Sequence, residues 1–137
     1  MSSKKNNIIK KNKYFMNLAL RQAARSLGHT GTNPPVGCVV TNNKGSLISL
    51  GRTGSRGRPH AEYNAVQNSQ KNLINCNIFV TLEPCTHYGQ TPPCTNLIIK
   101  KKIKNVFYSI NDIDIRTAKK CKKTLNKANI KLNVGLN

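Results

Sequence analysis

His60, Glu62, Cys85 and Cys94 are the residues whose types and spacing could do chemistry. One imidazole and two thiolates give zinc three ligands and leave a fourth position for water, which is the composition of a catalytic rather than a structural site. Glu62 follows His60 by two residues, about 200° around a helix axis. Its carboxylate is therefore poorly placed to share the metal with that imidazole. It is better placed to move protons between the metal's water and a substrate, and partial burial would raise its pKa and ease that cycling. Only four acids, Glu62, Glu83, Asp112 and Asp114, stand against 23 Lys and Arg, so each acid needs a reason. Alone, His60 reads as a helix-start or packed histidine, and Pro84-Cys85 means little. Their order along the chain is what favours a zinc site. Cys38, Cys76 and Cys121 lie in apolar runs and read as core, and His29 as solvent-facing.

The elements that must position these groups follow from periodicity. Met16, Leu20, Ala23 and Leu27 recur at helical spacing from about Tyr14, with Gly28 where a C′ glycine belongs. Val36 to Thr41 and Leu47 to Leu50 flank Asn42-Asn43-Lys44-Gly45 and predict a hairpin. A glycine-rich basic loop, Gly51 to Pro59, leads into a helix over His60 to Gln70. Ile78 to Leu82 reads as a buried strand, and Glu83 to Pro93 as a proline-punctuated loop. Helices over Thr95 to Lys102 and Arg116 to Lys127, and strands over Val106 to Ile110 and Ile130 to Val134, complete the order. The second of these helices presents Ala118, Cys121, Leu125 and Ala128 as its apolar face. The order α-β-β-α-β-α-β-α-β predicts a three-layer α/β/α sandwich on a mixed five-stranded sheet. His60 and Cys85 then lie at a helix start and a strand end, where open α/β folds place their sites.

The 137 residues leave room for one domain, taken as residues 13–137 after a basic disordered tail at 1–12. Nothing approaches a membrane span or a secretory signal. Five cysteines without disulfide-framework spacing point to a reducing cytoplasm. The net charge of +19 would suit a nucleic acid or anionic surface. Yet Lys, Asn and Ile make up 48 of the 137 residues and are spread along the chain, which favours compositional drift over a binding stripe.

His-x-Glu followed by Pro-Cys-x-x-Cys is the grammar of zinc nucleobase deaminases, but here eight residues separate Cys85 from Cys94. The stretch Thr81-Leu-Glu-Pro-Cys-Thr-His-Tyr-Gly-Gln-Thr-Pro-Pro-Cys94 resembles the long second zinc motif of the deaminase domain of the bifunctional riboflavin-biosynthesis deaminase/reductases. Asn33-Pro-Pro-Val-Gly-Cys38 resembles that family's base-binding loop, and Gly57-Arg-Pro-His-Ala-Glu62 its first zinc motif. The likeness runs from about Tyr14 to Gly135.

It implies a cytidine-deaminase-like fold with one zinc on His60, Cys85 and Cys94, and Glu62 as proton shuttle. The implied reaction is hydrolysis of the C2 amino group of 2,5-diamino-6-ribosylamino-4(3H)-pyrimidinone 5′-phosphate, the second step from GTP toward riboflavin. Asn33 would contact the pyrimidine, Asp112 would lie near the ribose phosphate, and Glu83 would order the loop. Gln90 stands where the family has Lys or Arg, Thr53 where it has His, and Asp114 where it has Asn. Lys119-Lys120-Cys121 replaces its Gly-x-Gly. The phosphate grip is thus altered, and Arg56 and Arg58, with Arg52, are the nearest substitute cations. No Gly-x-Gly-x-x-Gly is present, so no NADP is expected on this chain, and a separate reductase chain would take the product. Related deaminases imply a homo-oligomer.

Two rivals remain. A tRNA adenosine deaminase shares His-Ala-Glu and would welcome the charge, but closes its zinc with a two-residue cysteine spacing. A zinc-stabilised basic RNA-binding module would want aromatics interleaved with Arg52, Arg56 and Arg58, and would have no need of Glu62.

Overall fold

The computed structural model describes residues 2–86, 88–110 and 115–135. Its helices are α1 (Ser2–Ser26), α2 (Ala61–Ser69), α3 (Cys94–Lys100) and α4 (Ile115–Lys127). Its strands are β1 (Gly37–Thr41), β2 (Leu47–Arg52), β3 (Asn77–Leu82), β4 (Asn105–Ile110) and β5 (Lys131–Val134), with a 3-10 turn at Ser55–Gly57. The strands form one sheet in the order β2-β1-β3-β4-β5. β1 runs antiparallel to both β2 and β3, whereas β3, β4 and β5 are parallel. The hairpin and the two helical crossovers impose this, since parallel neighbours need a long connection.

Alternation along β1 and β3 sorts the core into two clusters. Val39 and Phe79 face α1 through Phe15, Met16 and Ala19. Cys38, Val40, Ile78 and Val80 face the other way, onto α2, α3 and α4 through Ala65, Ile98, Cys121 and Leu125. The result is the expected three-layer sandwich. No helix among the described residues is long and apolar enough to cross a membrane.

Two expectations about α1 need correction. The helix begins at Ser2 and not near Tyr14, so residues of the anticipated disordered tail at 1–12 are helical, although residues 3–11 are all exposed. Extending an anchored helix costs far less than nucleating one. Its buried face is also rotated. Phe15, Met16, Ala19, Gln22 and Ser26 are buried, while Leu20 and Leu27 are exposed. Close approach to β1 explains this, because a Cβ on Gly37 would lie 1.7 Å from the Ala19 carbonyl oxygen. Only small residues fit such a seam, and leucines would hold the helix away.

The seat of α2 is the feature that most directly positions the site. A Cβ on Gly51 would lie 2.3 Å from the Ala65 nitrogen and 2.4 Å from the Ala61 oxygen. Glycine on β2 therefore lets the helix rest backbone to backbone on the strand, which sets the height of its first turn.

Candidate active site

His60 caps α2 with extended backbone (φ −66°, ψ 159°), so its ring leaves the helix before the first turn. Glu62 lies inside that turn and is buried. From β3 the chain runs through Glu83 and Pro84 to Cys85, and a loop returns it to Cys94, the first residue of α3. The Cys94 N–H donates to the Cys85 sulfur at 3.2 Å, and the Thr95 N–H to the Cys85 carbonyl at 3.3 Å. The eight-residue spacing is thus closed by direct contact of its ends.

His60 Nδ1 lies 3.4 Å from Cys94 Sγ and 3.8 Å from Cys85 Sγ. Nitrogen and sulfur sharing a tetrahedral zinc at ordinary bond lengths stand ~3.6 Å apart. All three ligand atoms fall within 4.8 Å of one another, and no other such group of His, Cys, Asp or Glu occurs among the described residues. The donor set fits one Zn²⁺.

The local electrostatics are those of a site prepared for a cation. A side-chain hydrogen bond from Cys94 holds Cys85 down to about 4, well into the thiolate range, and His60 assists. The same bond pushes Cys94 up, so without metal the two sulfurs share one proton. Hydrogen bonding to Cys85 raises His60. Burial pushes Glu62 up to about 7, with the nearby Cys85 adding to the rise.

Glu62, His60 and Cys85 open into a pocket of about 250 Å³ that also touches Asn33, Thr53, Arg58 and Glu83. The Asn33 amide donates to the Gly57 carbonyl at 3.1 Å, and Thr30 Oγ1 bonds the Asn33 carbonyl at 2.5 Å. Gly57 has φ +95°, and a Cβ there would lie 2.5 Å from Asn33 Nδ2. Glycine is required on both counts. Arg58 Nη1 donates to Thr91 Oγ1 at 2.9 Å, which ties the arginine loop to the second zinc loop.

The other anticipated contacts fare differently. Arg56 is exposed, has φ 66° and does not line the pocket. Gln90 is exposed and likewise stands outside the lining. Asp112 lies outside the described residues, as does Asp114.

The roles of Thr53 and Thr81 in holding the loop escaped the sequence reading, which noted the first only as a departure from the family and the second only as part of the second zinc motif. Thr53 accepts the Val36 N–H at 2.9 Å, and Thr81 accepts the Gly37 N–H at 3.1 Å, so two hydroxyls fasten the Asn33-Pro-Pro loop. Nothing in a lone threonine on or just past a strand signals this. Glu83 hydrogen-bonds the Tyr108 hydroxyl, whose pKa burial and that carboxylate push up to about 12.

This arrangement can be compared with known proteins. The profile of the "Cytidine and deoxycytidylate deaminase zinc-binding region" matches residues 9–110. The riboflavin biosynthesis protein RibD of Chlamydia muridarum is 39% identical over 123 residues, covering 90% of this chain and 33% of that protein. Among solved structures, RibD of Acinetobacter baumannii superposes with a TM-score of 0.88 at 36% identity, over 93% of this chain and 36% of that one. The diaminohydroxyphosphoribosylaminopyrimidine deaminase/5-amino-6-(5-phosphoribosylamino)uracil reductase of Thermotoga maritima gives 0.86 at 34%, over 93% and 37%. The chain thus spans about a third of the length of the curated relatives it matches. Because the matched region holds His60, Cys85 and Cys94 in one zinc-sized cluster, the chain belongs to the cytidine and deoxycytidylate deaminase zinc-binding family.

Proposed function

We propose that this protein hydrolyses the C2 amino group of 2,5-diamino-6-ribosylamino-4(3H)-pyrimidinone 5′-phosphate, giving the 5-amino uracil analogue and ammonia. The carrying observation is that His60, Glu62 and Cys85 meet Asn33 and Arg58 in one small pocket, on a chain that is 39% identical to a riboflavin biosynthesis protein. Zinc held by His60, Cys85 and Cys94 would supply the Lewis acidity that makes a water nucleophilic near neutral pH.

The chain's own residues do the rest. Glu62 takes the proton of the attacking water, delivers it to the ring nitrogen beside C2, and passes a proton to the departing amine. A carboxyl held near neutrality is suited to both directions of transfer. Asn33, its amide anchored on Gly57, offers its remaining amide groups to the pyrimidine edge. Arg58 is the cation bordering the pocket and takes the phosphate in place of the missing family Lys or Arg.

Reaction in oxygen-18-labelled water tests the chemistry. One labelled oxygen should enter the product at C2 for each ammonia released. Ammonia released without label in the product would contradict hydrolysis. The working form is taken to be a cytoplasmic homo-oligomer, with an apolar cleft of about 640 Å³ beside the site, lined by the exposed Tyr63 and the half-buried Leu97, as the contact between copies.

A further inference from the structure

A second cleft, of about 550 Å³, lies where the C-terminal end of α1 meets β2 and α2. Arg25, His29 and Arg52 line it, and no acid or lysine does. Lysines outnumber arginines 17 to 6 in this chain, so background charge alone would have placed lysines there. Arginine is also the side chain whose planar fork matches a phosphate.

Gln22 adds an amide that no described protein group engages. It lines the cleft with only 9% of its surface exposed, and its amide has no hydrogen-bond partner among the described residues. Its amide atoms are not sealed from solvent and so are open to a ligand in the cleft. Asn64 and Asn68 spend amide N–H groups on the Arg52 and Leu50 carbonyls, at 2.7 and 2.9 Å. That leaves their oxygens as acceptors. Acceptors repel a bare phosphate but receive hydroxyl donors, and no Phe, Tyr or Trp lines the cleft to stack a base.

We propose that this cleft is a binding site for a free sugar phosphate, with the phosphate on Arg25 and Arg52 and the sugar hydroxyls on Gln22, Asn64 and Asn68. Thr53 is the one residue lining both this cleft and the catalytic pocket. The Ser26 hydroxyl bonds the Thr53 carbonyl on the cleft side, and the Thr53 hydroxyl holds the Val36 N–H on the other. The two sites are neighbours divided by a single residue.

Titration calorimetry on the zinc-loaded full chain, with ribose 5-phosphate and inorganic phosphate as probes, tests the site. Ribose 5-phosphate should bind saturably and several-fold more tightly than phosphate. The Arg25→Ala/Arg52→Ala double variant should lose at least about tenfold, since each charge-assisted hydrogen bond is worth roughly that much. Gln22→Ala should weaken ribose 5-phosphate several-fold. Both arginines are exposed, so an unchanged melting temperature would certify the fold of the double variant. Lys122→Ala/Lys123→Ala, remote on α4, should leave binding unchanged. Equal affinity in the Arg25/Arg52 variant and the parent would overturn the proposal by showing diffuse attraction to charge. Binding abolished by Arg58→Ala yet intact in the Arg25→Ala/Arg52→Ala variant would also overturn it, because the catalytic pocket alone would then hold the phosphoribosyl group.

Discussion

Glu62 sits where its own charge is costly, and that cost can be measured. In the zinc-free chain its pKa stands at about 7 against an ordinary 4.5. The folded state therefore keeps a proton that the unfolded chain has already released between those values. The stabilisation is fully present below 4.5 and is lost as pH rises through 7. Glu62→Gln cannot ionise, so zinc-free variant should gain on zinc-free parent between about pH 5 and about pH 8, by on the order of 3 kcal/mol at most. Urea melts with the same pH response in both proteins would contradict the burial argument. Zinc-loaded Glu62→Gln should keep its metal yet lose ~10²–10⁴ in turnover, whereas Cys94→Ala should lose metal and activity together. Full zinc occupancy in Cys94→Ala, by elemental analysis, would remove that ligand from the set. At the phosphate end, Arg58→Ala should raise KM several-fold with kcat little changed, the mark of lost uniform binding. Arg56→Ala should be silent, since that side chain stands outside the pocket. Reversed behaviour in steady-state kinetics would exchange the two roles. His60, Cys85 and Cys94 were legible because ligand identity and motif spacing survive in a sequence. The split between Arg56 and Arg58 was not, because a glycine-rich loop leaves side-chain direction open until Gly57 and Asn33 lock together.

Elements matter here through how closely they approach. α2 carries His60 and Glu62, and its height is set by the absence of a side chain at Gly51. Gly51→Ala should force the helix off β2, cost ~1–3 kcal/mol as overpacking does, and weaken zinc binding by moving His60 away from the cysteines. Thermal melts with and without excess zinc would show both effects, and a variant melting like the parent would contradict the seating. Strand and helix order was readable because hydrophobic runs and turn residues are local signals. The α4 face was readable for the same reason, with Cys121 and Leu125 fully buried. The face of α1 was not. Periodicity favoured Leu20 and Leu27, but the seam against Gly37 selects the smaller Ala19 and Ala23. Closeness of backbone to backbone is a tertiary quantity that side-chain periodicity does not encode.

At the scale of the whole molecule, a charge of +19 and a pocket of about 250 Å³ suggest different partners. The charge would draw any polyanion, whereas the pocket admits one small ring against Asn33 and one anionic arm beside Arg58. Chemistry is decided by the pocket, because Glu62 opens there beside His60 and Cys85, two of the three residues in the single metal-sized cluster among the described residues. Long-range charge changes how often an anion arrives, and that effect is screened by salt. Selectivity should therefore follow the pocket at any ionic strength. The most direct test is the turnover of zinc-loaded protein, without NADPH, on the diaminopyrimidinone ribonucleotide, deoxycytidylate, cytidine and tRNA side by side. Ammonia should be released from the diaminopyrimidinone nucleotide, with kcat/KM at least about a hundredfold above the others, a margin that buried hydrogen-bonding sites reach readily. Preferential deamination of tRNA or deoxycytidylate, with the diaminopyrimidinone nucleotide untouched, would contradict the assignment.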